Sequence, residues 1–388
     1  MKKLLIYATL CFTICSIAFS QTDHQRIFWD RGYFVNGIRP ALLGGAFSAI
    51  SDDENALMYN PAGLSFQDGK FTIYLGAIVH PQDTTVNLIQ REQTVKIRGV
   101  VSGTSKNKGM GLFLDHTTTI IGQNKNEKNH PLFAFGVSKK FGKKFAIGTS
   151  VKLAFPKYQS STIEREETTI YSTGKGFGGG LNFGLMYKGK LLSVGIVLQD
   201  AFASKLNIDF RYPQDTEMET NTIQYEVPTK FRIGTALRIP NLPIIKYLIG
   251  DIIPTFEIST FENVGEVDNP EDDLSFNNVH IGLEAEFLRL GWLAHGTFRF
   301  GINHSAITDW EGNEFLLNEN NENIPNGQLS HTSITLGLSG RVLIVDASIG
   351  AAFTFPTLEE GAYAGFEEDE VLAERRTSQI FISAGISF

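Results

Sequence analysis

From about Lys70 onward the chain alternates apolar and polar positions with a period of two. In Lys230–Ile239, residues Phe231, Ile233, Thr235, Leu237 and Ile239 share one face, and Lys230, Arg232, Gly234, Ala236 and Arg238 the other. In Val279–Phe287, the odd positions Val279, Ile281, Leu283, Ala285 and Phe287 oppose His280, Gly282, Glu284 and Glu286. At the end of the chain Ile380, Ile382, Ala384, Ile386 and Phe388 line up. Successive side chains of a strand point to opposite faces, so this period predicts strands. The same test predicts about fourteen of them, at 70–79, 94–104, 108–120, 131–140, 144–156, 174–187, 191–200, 228–239, 253–262, 278–288, 290–303, 331–340, 342–355 and 376–388.

The connections alternate in length. Short ones fall at Ser105–Asn107, Phe141–Lys143, Lys188–Lys190, near Arg289 and at Gly340–Arg341. Long ones cover 81–93, 121–130, 157–173, 201–227, 263–277, 304–330 and 356–375; the connection 240–252 breaks the rule. Tight turns at one end and long loops at the other are the signature of a transmembrane barrel. A soluble sandwich also alternates, but it has no reason to keep its long loops at one end. Parity decides further. A charge facing lipid at mid-membrane costs about 2–4 kcal/mol, and the strand charges fall almost entirely on the less apolar face. Lys152, Arg232, Arg238, Glu257, Glu284, Glu286, Arg299 and Asp346 are therefore expected in the lumen, with Arg232, Glu257, Glu284 and Arg299 close enough in strand order to form a cross-wall network. Buried ions need partners, so filling the lumen is the plainer role for these charges; gating or guiding a polar head group is the other. The fold class expected is all-β: an antiparallel transmembrane β-barrel of about fourteen strands.

One stretch does not alternate. Ser51–Ser65 reads as a short helix: Ser51 and Glu54 have capping-box spacing, Asp52 and Asp53 suit the positive end of the helix dipole, and Asn60-Pro61 ends it.

Composition agrees with a β-rich wall. The 388 residues include 38 Gly and 30 Phe but only 5 Met and 3 Trp. Residues 1–20 read as a secretory signal: Lys2 and Lys3, then the apolar run Leu4–Phe19, then a small-x-small site before Gln21. Both cysteines, Cys11 and Cys15, lie inside it, so the mature chain is expected to have no disulfide, thiol nucleophile or cysteine-bound metal. Removing the signal moves the formal net charge from −8 to about −10, which suits no nucleic-acid partner. Asn241–Pro254 is the best helical span and is too short, with Lys246 and Asp251 inside it; an exported membrane protein without such a helix must be a closed barrel.

Signals for chemistry are weak. Gly174–Gly180 contains a G-x-G-x-x-G spacing, but the alternating residues Leu181–Tyr187 follow it rather than a helix. The histidines show no metal spacing; His280 and His295 are expected to fill the lumen. Asp115-His116 lacks a nucleophile, and capping explains Asp52, Asp53 and Glu54 more simply than calcium does. No nucleophile, base and orienting group can be assembled, so neither an enzyme nor a cofactor is expected.

Arg39–Phe66, with the triplet Asn60, Pro61 and Ala62, resembles the N-terminal hatch of the FadL superfamily of outer-membrane proteins. Val227–Ile239 is similar to another segment of that family, and the terminal Ile382–Phe388 to the aromatic-ended signal of outer-membrane strands. The resemblance implies a signal at 1–20, a hatch at 21–68 containing short helices, and a barrel at 69–388. Asn60, Pro61, Ala62, Gly63, Gly44 and Gly45 would shape the hatch. It implies the outer membrane of a diderm bacterium, with acidic long loops outside and both termini periplasmic. The partners implied are outer-membrane lipid, a hydrophobic small-molecule ligand such as a long-chain fatty acid, and the assembly machinery that reads the strand ending in Phe388. PorV-like and PorQ-like members serve type IX secretion and surface attachment and share the hatch, so secretion-system proteins stay open as partners.

Overall fold

The computed structural model describes residues 37–67, 71–79, 92–121, 126–165, 168–202, 206–214, 217–225, 229–240, 249–260, 278–287, 294–310, 327–358 and 377–387. The expected signal at 1–20, the acidic loop segments 262–273 and 367–370, and Phe388 lie outside the described residues.

The wall consists of β1 (Phe71–Val79), β2 (Glu92–Ser105), β3 (Lys108–Ile121), β4 (Asn126–Phe141), β5 (Phe145–Ala154), β6 (Lys157–Arg165), β7 (Thr168–Lys188), β8 (Leu192–Ala201), β9 (Leu206–Gln214), β10 (Glu217–Tyr225), β11 (Lys230–Leu237), β12 (Ile249–Ser259), β13 (Asn278–Phe287), β14 (Ala294–Trp310), β15 (Gly327–Val342), β16 (Val345–Leu358) and β17 (Thr377–Ser387). Three pairs of segments are single staves with a break. β5 and β6 both pair with β4 and β7, and the gap falls at Phe155-Pro156, where proline has no N–H for a ladder. β8 and β9 both pair with β7, and the break follows Asp200 and Phe202, which have φ of 57° and 53°. β10 and β11 continue one another against β9 and β8. The wall is thus a closed antiparallel barrel of fourteen staves, and β1 seals it by pairing with both β2 and β17.

Three connections expected to be long loops, 121–130, 157–173 and 201–227, are mostly paired strand, closing at Ile121↔Asn126, Arg165↔Thr168 and Gln214↔Glu217. These hairpins carry β-formers such as Thr, Tyr and Ile but no apolar alternation. That pattern is imposed only where one face of the wall meets a greasy environment, so it stops before the strand does.

The alternation sorts the wall as parity requires. Phe381, Ser383 and Gly385 on β17 are buried inside, while Ile380, Ile382 and Ile386 are exposed outside. The outer surface is a continuous apolar band that includes Leu75, Ile97, Leu112, Phe135, Ile147, Phe183, Phe256, Ile281, Leu338 and Ile349, all exposed. A surface of this kind is far larger than the apolar patches of soluble monomers.

Residues 37–66 fill the bore. Helix Ile38–Leu42, helix Ala56–Tyr59 and the 3-10 helix Pro61–Phe66 are buried throughout, with only Arg39, Asp52 and Asp53 partly exposed. The wall makes room with inward glycines. A Cβ at Gly148 would lie 2.3 Å from the Pro61 carbonyl carbon, one at Gly195 2.1 Å from the Ser48 oxygen, and one at Gly109 2.3 Å from Leu64 backbone. The glycine-rich run Gly174–Gly180 is part of β7, with no helix after it.

The helix expected from Ser51 begins instead at Ala56, with Asn55 ahead of it and no side-chain cap. Ser51 Oγ has no hydrogen-bond partner among the described residues. Asp52 is taken by Arg39 and Lys188, at 2.7 Å each, and Asp53 Oδ1 accepts from Asn55 N at 2.8 Å. Hydrogen bonds to charged groups contribute about 1.5–3 kcal/mol against about 1 kcal/mol for a cap, so the carboxylates serve the ion pairs and the helix starts a turn later. Asn60-Pro61 does end that helix, and it also starts the next one: Asn60 Oδ1 accepts from Ala62 N at 3.2 Å, with Pro61 at the first helical position.

Candidate functional site

The hatch grips the barrel differently on its two sides. On one side the turn Gly44–Ser48 faces β11, β12 and β13, and its main chain is paired bond by bond. Gly44 and Gly45 take φ of 60° and 87°, a region glycine enters without a Cβ penalty. Their carbonyls then point outward: Gly44 O accepts from His280 Nδ1 at 2.8 Å, and Gly45 O from Arg232 Nη2 at 3.1 Å. Glu257, fully buried, accepts from Phe47 N at 3.1 Å and Ser48 N at 2.8 Å through Oε2, and from Arg232 Nε through Oε1. Ser259 Oγ lies 3.1 Å from His280 Nε2; with Nδ1 donating to Gly44, Nε2 is the acceptor.

Next to this turn a chain of ion pairs crosses the bore. Lys188 on β7 meets Asp52 at 2.7 Å, Asp52 meets Arg39 at 2.7 Å, and Arg39 meets Glu284 on β13 through two bonds of 2.7 and 2.9 Å. Glu284 is shared with Arg299 on β14 at 2.7 Å, directly opposite in the register. Arg299 continues to Ser339 on β15, which meets Ser348 on β16 at 2.7 Å. Burial alone would raise the Asp52 carboxyl, but Lys188 and Arg39 outweigh it and hold it well below the usual carboxylate range. Glu54, buried beside Asp53, goes the other way and is pushed up to about 8, by burial first and by the Asp53 charge second.

The opposite side meets the hatch by apolar contact, with one buried ion pair, Arg98 to Asp115, in the wall behind it. Ala56, Leu57, Met58 and Leu64 pack on Tyr74 of β1, Val100 of β2, Phe113 of β3 and Ala134 of β4. Ile38, Ala41 and Leu42 pack on Ala352 of β16 and Phe381 of β17. Asn60 ties the two halves together, donating through Nδ2 to Ser48 O at 2.9 Å and to Leu185 O of the wall at 3.1 Å. Gly63 is pressed against Ser51, whose carbonyl oxygen would lie 1.4 Å from an added Cβ.

The eight charges expected in the lumen therefore divide. Arg232 pairs with Glu257, and Glu284 with Arg299, as two separate units joined through the hatch rather than one network along the wall. Lys152 pairs with Asp200. Arg238 is half exposed at the turn end, 3.6 Å from Asp251. Asp346, also at the rim, lies 3.7 Å from Arg341. Glu286 leans over Gly250. Asp115 and His116 fall on opposite faces, Asp115 buried against Arg98 at 3.3 Å and His116 exposed outside, so they form no dyad. Arg39, Lys188 and Asp200 escaped the sequence reading; a lone arginine within the apolar stretch Ile38–Ile50 was the available signal.

The geometry has counterparts among solved structures. The CymD monoaromatic hydrocarbon channel superposes with a TM-score of 0.57 at 14% identity, over 90% of this chain and 96% of that one. The toluene transporter TbuX of Ralstonia pickettii gives 0.55 at 13%, over 90% and 97%. A Pseudomonas aeruginosa FadL homologue gives 0.53 at 12%, over 90% and 96%. The fold is that of the FadL-type channels. No protein-family model matches the chain, and no curated protein does. In this chain the hatch is bonded by charge to β7, β11, β12 and β13, and it rests by apolar contact on β1–β4, β16 and β17, with smaller apolar contacts to β5, β7, β11 and β12.

Proposed function

We propose that the protein is an outer-membrane channel that admits hydrophobic or amphipathic small molecules by passive diffusion, with long-chain fatty acids as a substrate class. The observation that supports this most is the two-sided hatch. Its apolar helix faces Tyr74, Val100, Phe113 and Ala134 of β1–β4, so a greasy solute can replace one apolar surface with another there, while the buried pair Arg98–Asp115 joins β2 to β3 in the same stretch of wall. The outer apolar band suits a bilayer, and the matched structures named for a cargo are named for toluene and monoaromatic hydrocarbons. In this reading the tight turns and both termini face the periplasm, the long loops face outside, and the strand ending in Phe388 is what the assembly machinery reads.

A second reading is a PorV-like or PorQ-like role in secretion or surface attachment: Arg232, Glu257, His280, Glu284 and Arg299 line β11–β14 and leave no continuous apolar path along that side of the bore. The test is uptake of a labelled long-chain fatty acid, and in parallel a labelled monoaromatic, into proteoliposomes with and without the protein. Uptake above the empty vesicles supports the channel. No difference for either solute, with co-purified secretion-machine components, supports the second reading. Deleting residues 21–63 is expected to open a conductance in planar bilayers; an unchanged current would show that the segment is not a plug.

A further inference from the structure

Two pairs of lysines sit directly opposite each other on neighbouring strands, on the outside of the wall. Lys108 on β3 is in register with Lys139 on β4, and Lys157 on β6 with Lys175 on β7. All four are exposed, and their neighbours in sequence, Gly109, Ser138, Pro156 and Gly174, are buried, so the lysines point away from the bore. Like charges directly opposite on a sheet destabilise it. No acidic residue stands opposite Lys108 or Lys139, whose other neighbours in the register are Ser105 and Ile147; on the far side of Lys175 the register places Asp209 of β9. Each pair borders phenylalanines. Lys139 Nζ lies 5.4 Å from the centre of the Phe141 ring. Lys157 and Lys175 each stand two residues from Phe155 and Phe177, whose ring centres are 5.3 Å apart.

Their spacing is informative. β4 carries Lys139 opposite Lys108, and Asn129 opposite Lys157. The ten residues between them span roughly 33 Å along the strand and, at a tilt of about 40°, about 25 Å along the barrel axis, the height of the lipid-facing band of such barrels. Met110, Leu112, Leu114, Phe133, Phe135 and Val137 fill the interval on β3 and β4. The two pairs thus mark the two edges of the apolar band, beside aromatic rings, where ammonium groups reach head groups by snorkelling.

We propose that each pair clamps the phosphate of an anionic lipid head group, one in each leaflet, the anion relieving the repulsion between Lys108 and Lys139 and, beside Lys175 with its neighbour Asp209, supplying the counter-charge for Lys157. This rests on the membrane placement proposed above. A free acidic partner in the aqueous phase suits the sites less well, because the lysines lie on the lipid side of the wall and their apolar neighbours would be buried in acyl chains.

The experiment is native mass spectrometry of the full-length protein released from nanodiscs of phosphatidylglycerol and phosphatidylcholine in equal amounts, for the wild type and for the double variants Lys108→Gln/Lys139→Gln and Lys157→Gln/Lys175→Gln. The expected result is preferential retention of phosphatidylglycerol, reduced in each double variant by about fivefold for each lysine removed. Equal retention of both lipids by a wild type that inserts normally overturns the proposal while leaving the membrane placement intact. Failure to insert into nanodiscs at all overturns both. A preference unchanged in both double variants, or one abolished by millimolar inorganic phosphate, overturns the assignment to a lipid head group.

Discussion

Arg39 in the hatch and Glu284 in the wall are joined by two parallel hydrogen bonds, Nε to Oε2 at 2.7 Å and Nη2 to Oε1 at 2.9 Å, across 245 residues of sequence. This is the fork-to-fork geometry in which guanidinium and carboxylate match best. It makes Glu284 the hub between the hatch and β14, since Arg299 uses the same carboxylate. Replacing Glu284 by Gln is expected to leave two cations facing a neutral amide, at a cost of about 3–5 kcal/mol. The hatch would loosen before the wall does. Limited proteolysis between residues 37 and 66, set beside the heat-induced gel shift of the barrel, checks this; a hatch as resistant as the wild type's would refute it.

Gly148 and Gly340 offer a matched comparison. A methyl on Gly148 meets the backbone of Pro61 and Ala62 at 2.3–2.4 Å, whereas one on Gly340 meets nothing within 4 Å. Gly148→Ala is expected to destabilise by at least the 1–3 kcal/mol typical of overpacking, and Gly340→Ala to stay within about 0.5 kcal/mol. Thermal unfolding in detergent measures both. Equal midpoints for the two variants would mean that the hatch does not press on the wall at β5.

Asn60 has three bonds through one side chain. Asn60→Ser keeps an oxygen for the Ala62 N–H and loses the reach to Ser48 and Leu185; Asn60→Ala loses all three. The expected order of stability is wild type, then Ser, then Ala, with about 1 kcal/mol for the cap alone. A serine variant no better than alanine would assign the whole effect to the amide nitrogen.

Glu54 gives the hatch a pH dependence. Its proton is held up to about pH 8 in the folded protein, so the folded state binds more protons than the unfolded one between the ordinary carboxylate range and that value. Stability from this group is complete on the acid side and is lost as pH rises through about 8. Raising the pH from about 6 to about 9 should increase protease access to residues 37–66, and Glu54→Gln should flatten the profile. A wild-type profile already flat over that range would contradict it.

The barrel was legible because one physical demand, a greasy outside against a polar inside, writes itself into every stave with a period of two. Where that demand lapses, so does the signal: β6, β9 and β10 extend past the apolar band and read as loop. The wall half of the site was also legible. Glu284 and Arg299 fall on adjacent strands with the right parity, and they meet directly across the ladder. What local spacing could not reveal is a choice between partners far apart in the chain. Ser51, Asp52 and Glu54 have the spacing of a helix start, and Asp52 is nonetheless bound to Lys188, 136 residues away. A capping rule weighs neighbours only, and a buried cation outbids it.

The inward glycines carry one more consequence, for assembly. Residues 37–66 are enclosed by staves from β1 to β17, with backbone pressed on backbone at Gly109, Gly148, Gly195 and Gly301. The expected order of assembly follows: the N-terminal segment takes its place before β1 meets β17, as a mandrel on which the cylinder is wound, and a finished cylinder given the same segment in trans should stay empty.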